Sequence, residues 1–145
     1  MRRRRRIPIA LAAVLAAMTF ACAPREDKKV APVDAGELSQ DKEVLDELRS
    51  VGSDLTKPHQ IEFYLYLPSE PDAEAAGAEL RSMGYPVTVR VGPDSIHWLC
   101  LASRTMLPTT QGLADARVVF KDLALKYKGA YDGWQAEIVR PSTAQ

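Results

Sequence analysis

Hydrophobic residues fall at helical spacing from Asp41 to Leu55, where Val44, Leu48, Val51 and Leu55 share one face with Leu45 beside them. Gly52 is the expected stop of that helix. The period then changes to two. Ile61, Phe63, Leu65 and Leu67 alternate with Glu62, Tyr64 and Tyr66, which predicts a half-buried strand ended by Pro68. Ser69, with Asp72 three residues later, resembles a capping box and opens a second helix, with Ala73, Ala76, Leu80 and Met83 on one face and Gly84 at its end. Tyr85–Val91 alternates again, Gly92-Pro93-Asp94-Ser95 reads as a turn, and Ile96–Ser103 as the next strand, so these form a hairpin. Pro108 and Thr109 or Thr110 open a long helix with Leu113, Ala116, Phe120, Leu123 and Tyr127 as its apolar stripe. Gly129 is expected to cap that helix, Asp132-Gly133 to turn the chain, and Trp134–Val139 to be the last strand, closed by Arg140-Pro141.

After its first helix this order is β-α-β-β-α-β, the split βαβ pattern of the ferredoxin-like α+β sandwich. Right-handed crossovers place both of its helices on one face of a four-stranded antiparallel sheet. The other face is expected to carry Tyr64, Tyr66, Thr88, Arg90, Gln135 and Glu137. Tyr64 and Tyr66 are the candidate interface, because tyrosine is enriched at the cores of protein contacts. The alternative is that the N-terminal helix folds over this face and buries both rings.

The start of the chain has a different composition. Arg2–Arg6 form a basic run, and Ile7–Phe20 is an apolar stretch rich in Ala and Leu. It is short for a spanning helix of about 20 residues and suits a secretory signal. Ala21-Cys22 follows, so residues 1–21 are expected to be a signal peptide and Cys22 a lipidation site, with a membrane held through the lipid. Thr19 and Phe20 depart from the usual lipobox, which keeps ordinary cleavage after Ala21 open; an uncleaved anchor is the third reading. Residues 22–39, with Pro24, Pro32, Gly36 and mixed charges, are expected to be a flexible linker, 40–140 the folded domain and 141–145 a tail. The localisation that follows is the bacterial cell envelope, with the cytoplasm as the alternative.

Charge changes meaning once the leader is set aside. The 145 residues hold 19 basic and 19 acidic side chains, but five of the basic ones are Arg2–Arg6 and residues 1–21 hold no acid. What remains has 14 basic residues against 19 acidic, a net of −5. That argues against binding a phosphate backbone directly, despite the likeness of Tyr64 and Tyr66 to base-stacking aromatics.

No catalytic constellation emerges. His59, beside Pro58 at a strand start, is expected to be solvated, and His97 to be a satisfied or edge histidine in an apolar strand. Cys100 reads as a small buried hydrophobe, and a Cys22–Cys100 disulfide would tie a tail to a core strand. No metal-ligand spacing, nucleophile elbow or phosphate loop is present, so no metal, no cofactor and no enzymatic activity are expected. The carboxylates around Asp46-Glu47 and Glu70–Glu74 read as solvated faces and a first helical turn. The function expected is a non-catalytic protein-binding module; a small-ligand binder or enzyme on the same scaffold is the alternative from another class.

The most specific local signal is Gly129-Ala130-Tyr131-Asp132-Gly133-Trp134 after a long helix. This Gly-x-Tyr-Asp-Gly-Trp segment resembles the RraB family. So do the Asp-x-x-Val-Leu-x-x-Leu helix at Asp41–Leu48, the Pro58–Tyr66 entry to the first strand, Met83-Gly84-Tyr85, and Trp98 in the third strand. The resemblance covers residues 41–140. It implies a ferredoxin-like fold and a regulator that inhibits the ribonuclease RNase E by protein contact. An exported chain would not meet that cytoplasmic partner, so the resemblance carries the fold further than the partner.

Overall fold

The computed structural model describes residues 34–142. Its elements are α1 (Ala35–Ser50), β1 (His59–Leu67), α2 (Glu70–Ser82), β2 (Val87–Val91), β3 (Trp98–Met106), α3 (Thr110–Lys126) and β4 (Ala130–Ala136). The sheet order is β2-β3-β1-β4 with every neighbouring pair antiparallel. This is the ferredoxin-like α+β fold with an added N-terminal helix.

Local chemistry sets each boundary. Ser69 caps α2, its Oγ accepting from the Asp72 amide, and Thr109 does the same for α3 with the Gly112 amide. Gly52 and Gly84, at φ 88° and 89°, end α1 and α2 in the left-handed conformation. Helix α1 begins six residues earlier than the periodicity suggests. Asp34 caps it, and Glu37 reaches Lys121 on α3, so Ala35–Ser39 of the expected linker is helical. The helix stops at Ser50, which leaves Leu55 in the following loop.

The core lies between sheet and helices. Ile61, Phe63, Leu65 and Leu67 of β1 meet Ala73, Ala76 and Leu80 of α2 and Leu113, Ala116, Phe120 and Leu123 of α3. Phe120 stacks on Phe63 with centroids 4.8 Å apart, and Tyr85 closes edge-on against both. Helix α2 presses close to the sheet at Gly77, where a Cβ would stand 3.2 Å from Val87 Cγ1. Met83, expected on the apolar face of α2, sits at its C-cap and is exposed, while Tyr85 two residues on is buried. Helix α1 adds Leu45 and Leu48 to the same core and packs against α3, so it does not cover the opposite sheet face.

Strand limits shift where side chains needed tertiary partners. The β2–β3 hairpin pairs Val91 with Trp98, which puts Ile96 and His97 in the turn rather than in β3. His97 Nδ1 bonds Asp94 Oδ2 at 2.5 Å, and the Asp94 carboxylate also takes the Ile96 and His97 amides. Those bonds, His97 first, draw the Asp94 carboxyl down to about 2. His59, expected in solvent, is fully buried: one ring nitrogen meets Ser53 Oγ at 2.7 Å and the other the Lys57 carbonyl at 2.8 Å. Ser53 also takes the Val139 amide at 3.0 Å, so this network ties the C-terminal segment to the entry of β1.

Candidate functional site

Ala130–Trp134 belong to β4 rather than to a turn before it, and Gly129 directly precedes the strand. Gly133 pairs with Tyr64 and Tyr131 with Leu65, so Asp132 is an extra residue and the strand bulges there. Gly133 sits at φ 106°, the bulge geometry that favours glycine. The left-handed residue after α3 is Lys128, at φ 54°, not Gly129. Gly129 is required for another reason: a Cβ there would meet the Tyr66 carbonyl oxygen at 2.3 Å. The last strand therefore starts four residues before the expected Trp134 and ends at Ala136.

The bulge keeps Tyr131 and Trp134 on the helix-facing side. Tyr131 stacks on Phe120 at 5.5 Å between centroids. Trp134 lies opposite Phe63, and its Nε1–H donates to Asp41 Oδ1 at 2.9 Å. Asp41, buried on α1, also accepts from Arg117 Nη2, and Arg117 on α3 is itself buried. Lys121 bonds Glu37 beside them. Buried charges are held only when paired in this way. The Asp41–Arg117 pair was not singled out from the sequence. Its signal was present: Asp41 lies four residues before Leu45 and Arg117 four after Leu113, so each falls within an apolar helical stripe.

Between α1, α3 and β4 these residues line a cleft of about 310 Å³. Arg117 Nη1 and the Tyr131 hydroxyl, both buried, have no hydrogen-bond partner among the described residues. Burial holds the Tyr131 phenol well above the usual tyrosine range.

The opposite sheet face has another character. Tyr64 and Tyr66 stand on it half-buried, with Leu101 and Leu99 of β3 as their register partners. Leu99, flanked by Tyr66 and Arg90, is 1% exposed although it lies outside the helix-facing core. The continuous apolar run of β3 thus hides a second apolar side. Glu62 organises the polar edge, accepting from the Tyr64 hydroxyl at 3.1 Å and from Gln135 Nε2 at 2.7 Å. Burial, then the Glu62 carboxylate, raises the Tyr64 phenol. Thr88, Arg90 and Gln135 lie on this face as expected, while Glu137 falls beyond β4. At one end Tyr66, Pro68, Pro93, His97, Lys128 and Asp132 edge a hollow of about 520 Å³.

The structure does not bring the candidate interface and the motif aromatics together: Tyr64 and Tyr66 face one way, Tyr131 and Trp134 the other. Cys22 and its expected lipid lie outside the described residues. Cys100 is fully buried on the helix-facing side of β3, and burial pushes its thiol up to about 11. Among the described residues no three His, Cys, Asp or Glu side chains gather as metal ligands, and no helix is long and apolar enough to cross a membrane.

A family model described as RraB, regulator of ribonuclease activity B, matches residues 38–136. That span runs from the first turns of α1 to the last residue of β4. No curated protein matches the chain.

Proposed function

The chain belongs to the RraB family, and we propose that it is a non-catalytic regulator that works by binding a protein through the open face of its sheet. The family is regulatory, which supports a binding role. The observation that carries the surface is the pair Tyr64 and Tyr66, half-buried on a face that α1, α2 and α3 leave free, with Leu99 and Leu101 beneath and beside them. Rings held in place by apolar neighbours, with a polar rim at Glu62, Arg90 and Gln135, suit the core-and-rim anatomy of a contact surface.

The domain's place is the bacterial cell envelope, reached through the signal in residues 1–21 and held by lipid on Cys22. The basic run Arg2–Arg6, the short apolar stretch and the Ala21-Cys22 junction support this. An exported domain meets an envelope partner, and the RNase E contact implied by the family belongs to a cytoplasmic form. Cell fractionation with a mass measurement of the mature N-terminus tests the placement. The expected result is an acylated Cys22 in the membrane fraction, with Cys22→Ser abolishing fatty-acid labelling. Intact Met1 in the cytosol would contradict export and make RNase E the partner to test. The surface is tested by comparing partner capture and melting for wild type and Tyr64→Ala/Tyr66→Ala. Loss of one specific partner is expected, with stability lowered by no more than about 1–2 kcal/mol, the amount that the two half-buried rings supply. Turnover of a small substrate by the purified protein would overturn the non-catalytic reading.

A further inference from the structure

We propose that the cleft between α1, α3 and β4 is a recognition subsite for a neutral amide group, a glutamine or asparagine side chain or a peptide carbonyl. It lies across the sheet from the open face and does not depend on that face being the docking surface. Two buried polar groups line it without partners among the described residues: Nη1 of Arg117, a residue only 6% exposed, and the hydroxyl of Tyr131. Unpaired groups in such a place are costly unless a guest completes them. Nη1 can only donate, and a phenol held in its protonated form has a proton to give, so the matching guest atom is an acceptor oxygen.

The charge already present selects which oxygen. Asp41 is taken up by Arg117 Nη2 and Trp134 Nε1, and Glu37 is bonded to Lys121 and stands 4.0 Å from Arg117 Nη1. Two cations thus face two carboxylates, and Asp132 adds a further negative charge to the lining. A carboxylate guest would bring charge that nothing balances, in a partly dehydrated site. An amide carbonyl brings none. Gln40 and Asp132, exposed residues that also line the cleft, carry side-chain oxygens able to accept from its N–H groups. Val44 and Trp134 supply apolar wall, and about 310 Å³ matches a single side chain or peptide unit.

The test is a titration of the isotope-labelled full chain with N-acetylglutamine amide, following the two indole N–H resonances by NMR. Trp134 lines the cleft and Trp98 lies away from it, so one indole reports and the other serves as reference. A saturable shift of Trp134 alone, with a Kd on the order of 1 mM, is expected for so small a probe. N-acetylglutamate amide should bind at least tenfold more weakly. Tyr131→Phe removes one donor and no fold contact, so it should weaken the amide about tenfold while melting no lower than wild type. Gln40→Ala, on the exposed side of α1, provides a second variant that leaves the core untouched and should also weaken binding. Equal or tighter binding of the glutamate probe would overturn the selectivity. No Trp134 shift with either probe would mean that water alone satisfies both groups and would overturn the site.

Discussion

Strand β1 carries aromatic and apolar side chains toward both sides of the sheet, and the two sides are held in different ways. On the helix-facing side Phe63, Phe120, Tyr85 and Tyr131 interlock, and the adjoining Trp134 is fixed by the buried Asp41–Arg117 pair. On the open side Tyr64 and Tyr66 rest against Leu101 and Leu99 with only a polar edge around them. The first arrangement leaves little for a protein partner to touch and much for the fold to lose. The second leaves surface that folding does not use. The Gly129–Trp134 segment therefore serves architecture, and the half-buried tyrosines of the open face lie outside it.

The sharpest way to break this comparison is Asp41→Ala. It strands the Arg117 guanidinium in a buried site and frees the Trp134 indole, so a loss of about 3–5 kcal/mol in denaturant unfolding is expected. A loss below about 1 kcal/mol would show that the pair is wet and that the helix-facing side is no firmer than the other. Gly129→Ala comes next. Its Cβ would collide with the Tyr66 carbonyl, which is backbone and cannot swing aside, so about 2–3 kcal/mol is expected from the same measurement. Gly133→Val forces a β-branched residue to φ 106° with open space around the added Cβ; the cost is conformational, about 1–2 kcal/mol.

These positions also show what the sequence could carry. The helical and two-residue periods placed the three helices, β1 and β2, because burial of one face imposes those periods directly, whereas β3 showed only an apolar run and β4 starts four residues before its expected place. Capping worked at Ser69 and at Thr109, where the chemistry is local. Asp132-Gly133 was readable as a backbone special but not as a bulge, since a bulge exists only relative to the partner strand β1. Gly129 was expected as the cap of α3, but Lys128 takes the left-handed conformation there, and what requires glycine at 129 is a close approach to Tyr66, which is tertiary. His59 defeated local reading because its partners are a loop serine and a backbone carbonyl. The open face was half legible: Tyr64 and Tyr66 follow from alternation, while Leu99 and Leu101 were masked by an unbroken apolar run. The cleft depends on Asp41 and Arg117, 76 residues apart, and no spacing rule joins them.

On the open side the expected stability effects are small. Tyr64→Ala/Tyr66→Ala should cost about 1–2 kcal/mol in total, since both rings keep part of their surface in water. A cost near that of Asp41→Ala would make the face part of the core. The smallest effect concerns the β2–β3 turn. The Asp94 carboxyl, drawn to about 2 by His97 and two amides, lies below the 3.8 of an unpaired aspartate. Its contribution is thus complete above pH 3.8 and is lost as pH falls toward about 2. Amide shifts of Ile96 and His97 should move in that window, and Asp94→Asn should flatten the response.

The central claim is that a partner protein docks on the open face, the cleft beside Tyr131 and Trp134 having room for no more than a single amide group. It is tested most directly by site-specific photo-crosslinking in cells, with a benzophenone amino acid in place of Tyr66 and, as a control, in place of Leu125, the highly exposed α3 residue. A discrete adduct from position 66 that disappears with Tyr64→Ala, and none from position 125, is the expected result. Adducts of equal yield from both positions, or none from position 66 in cells that hold the folded protein, would contradict it.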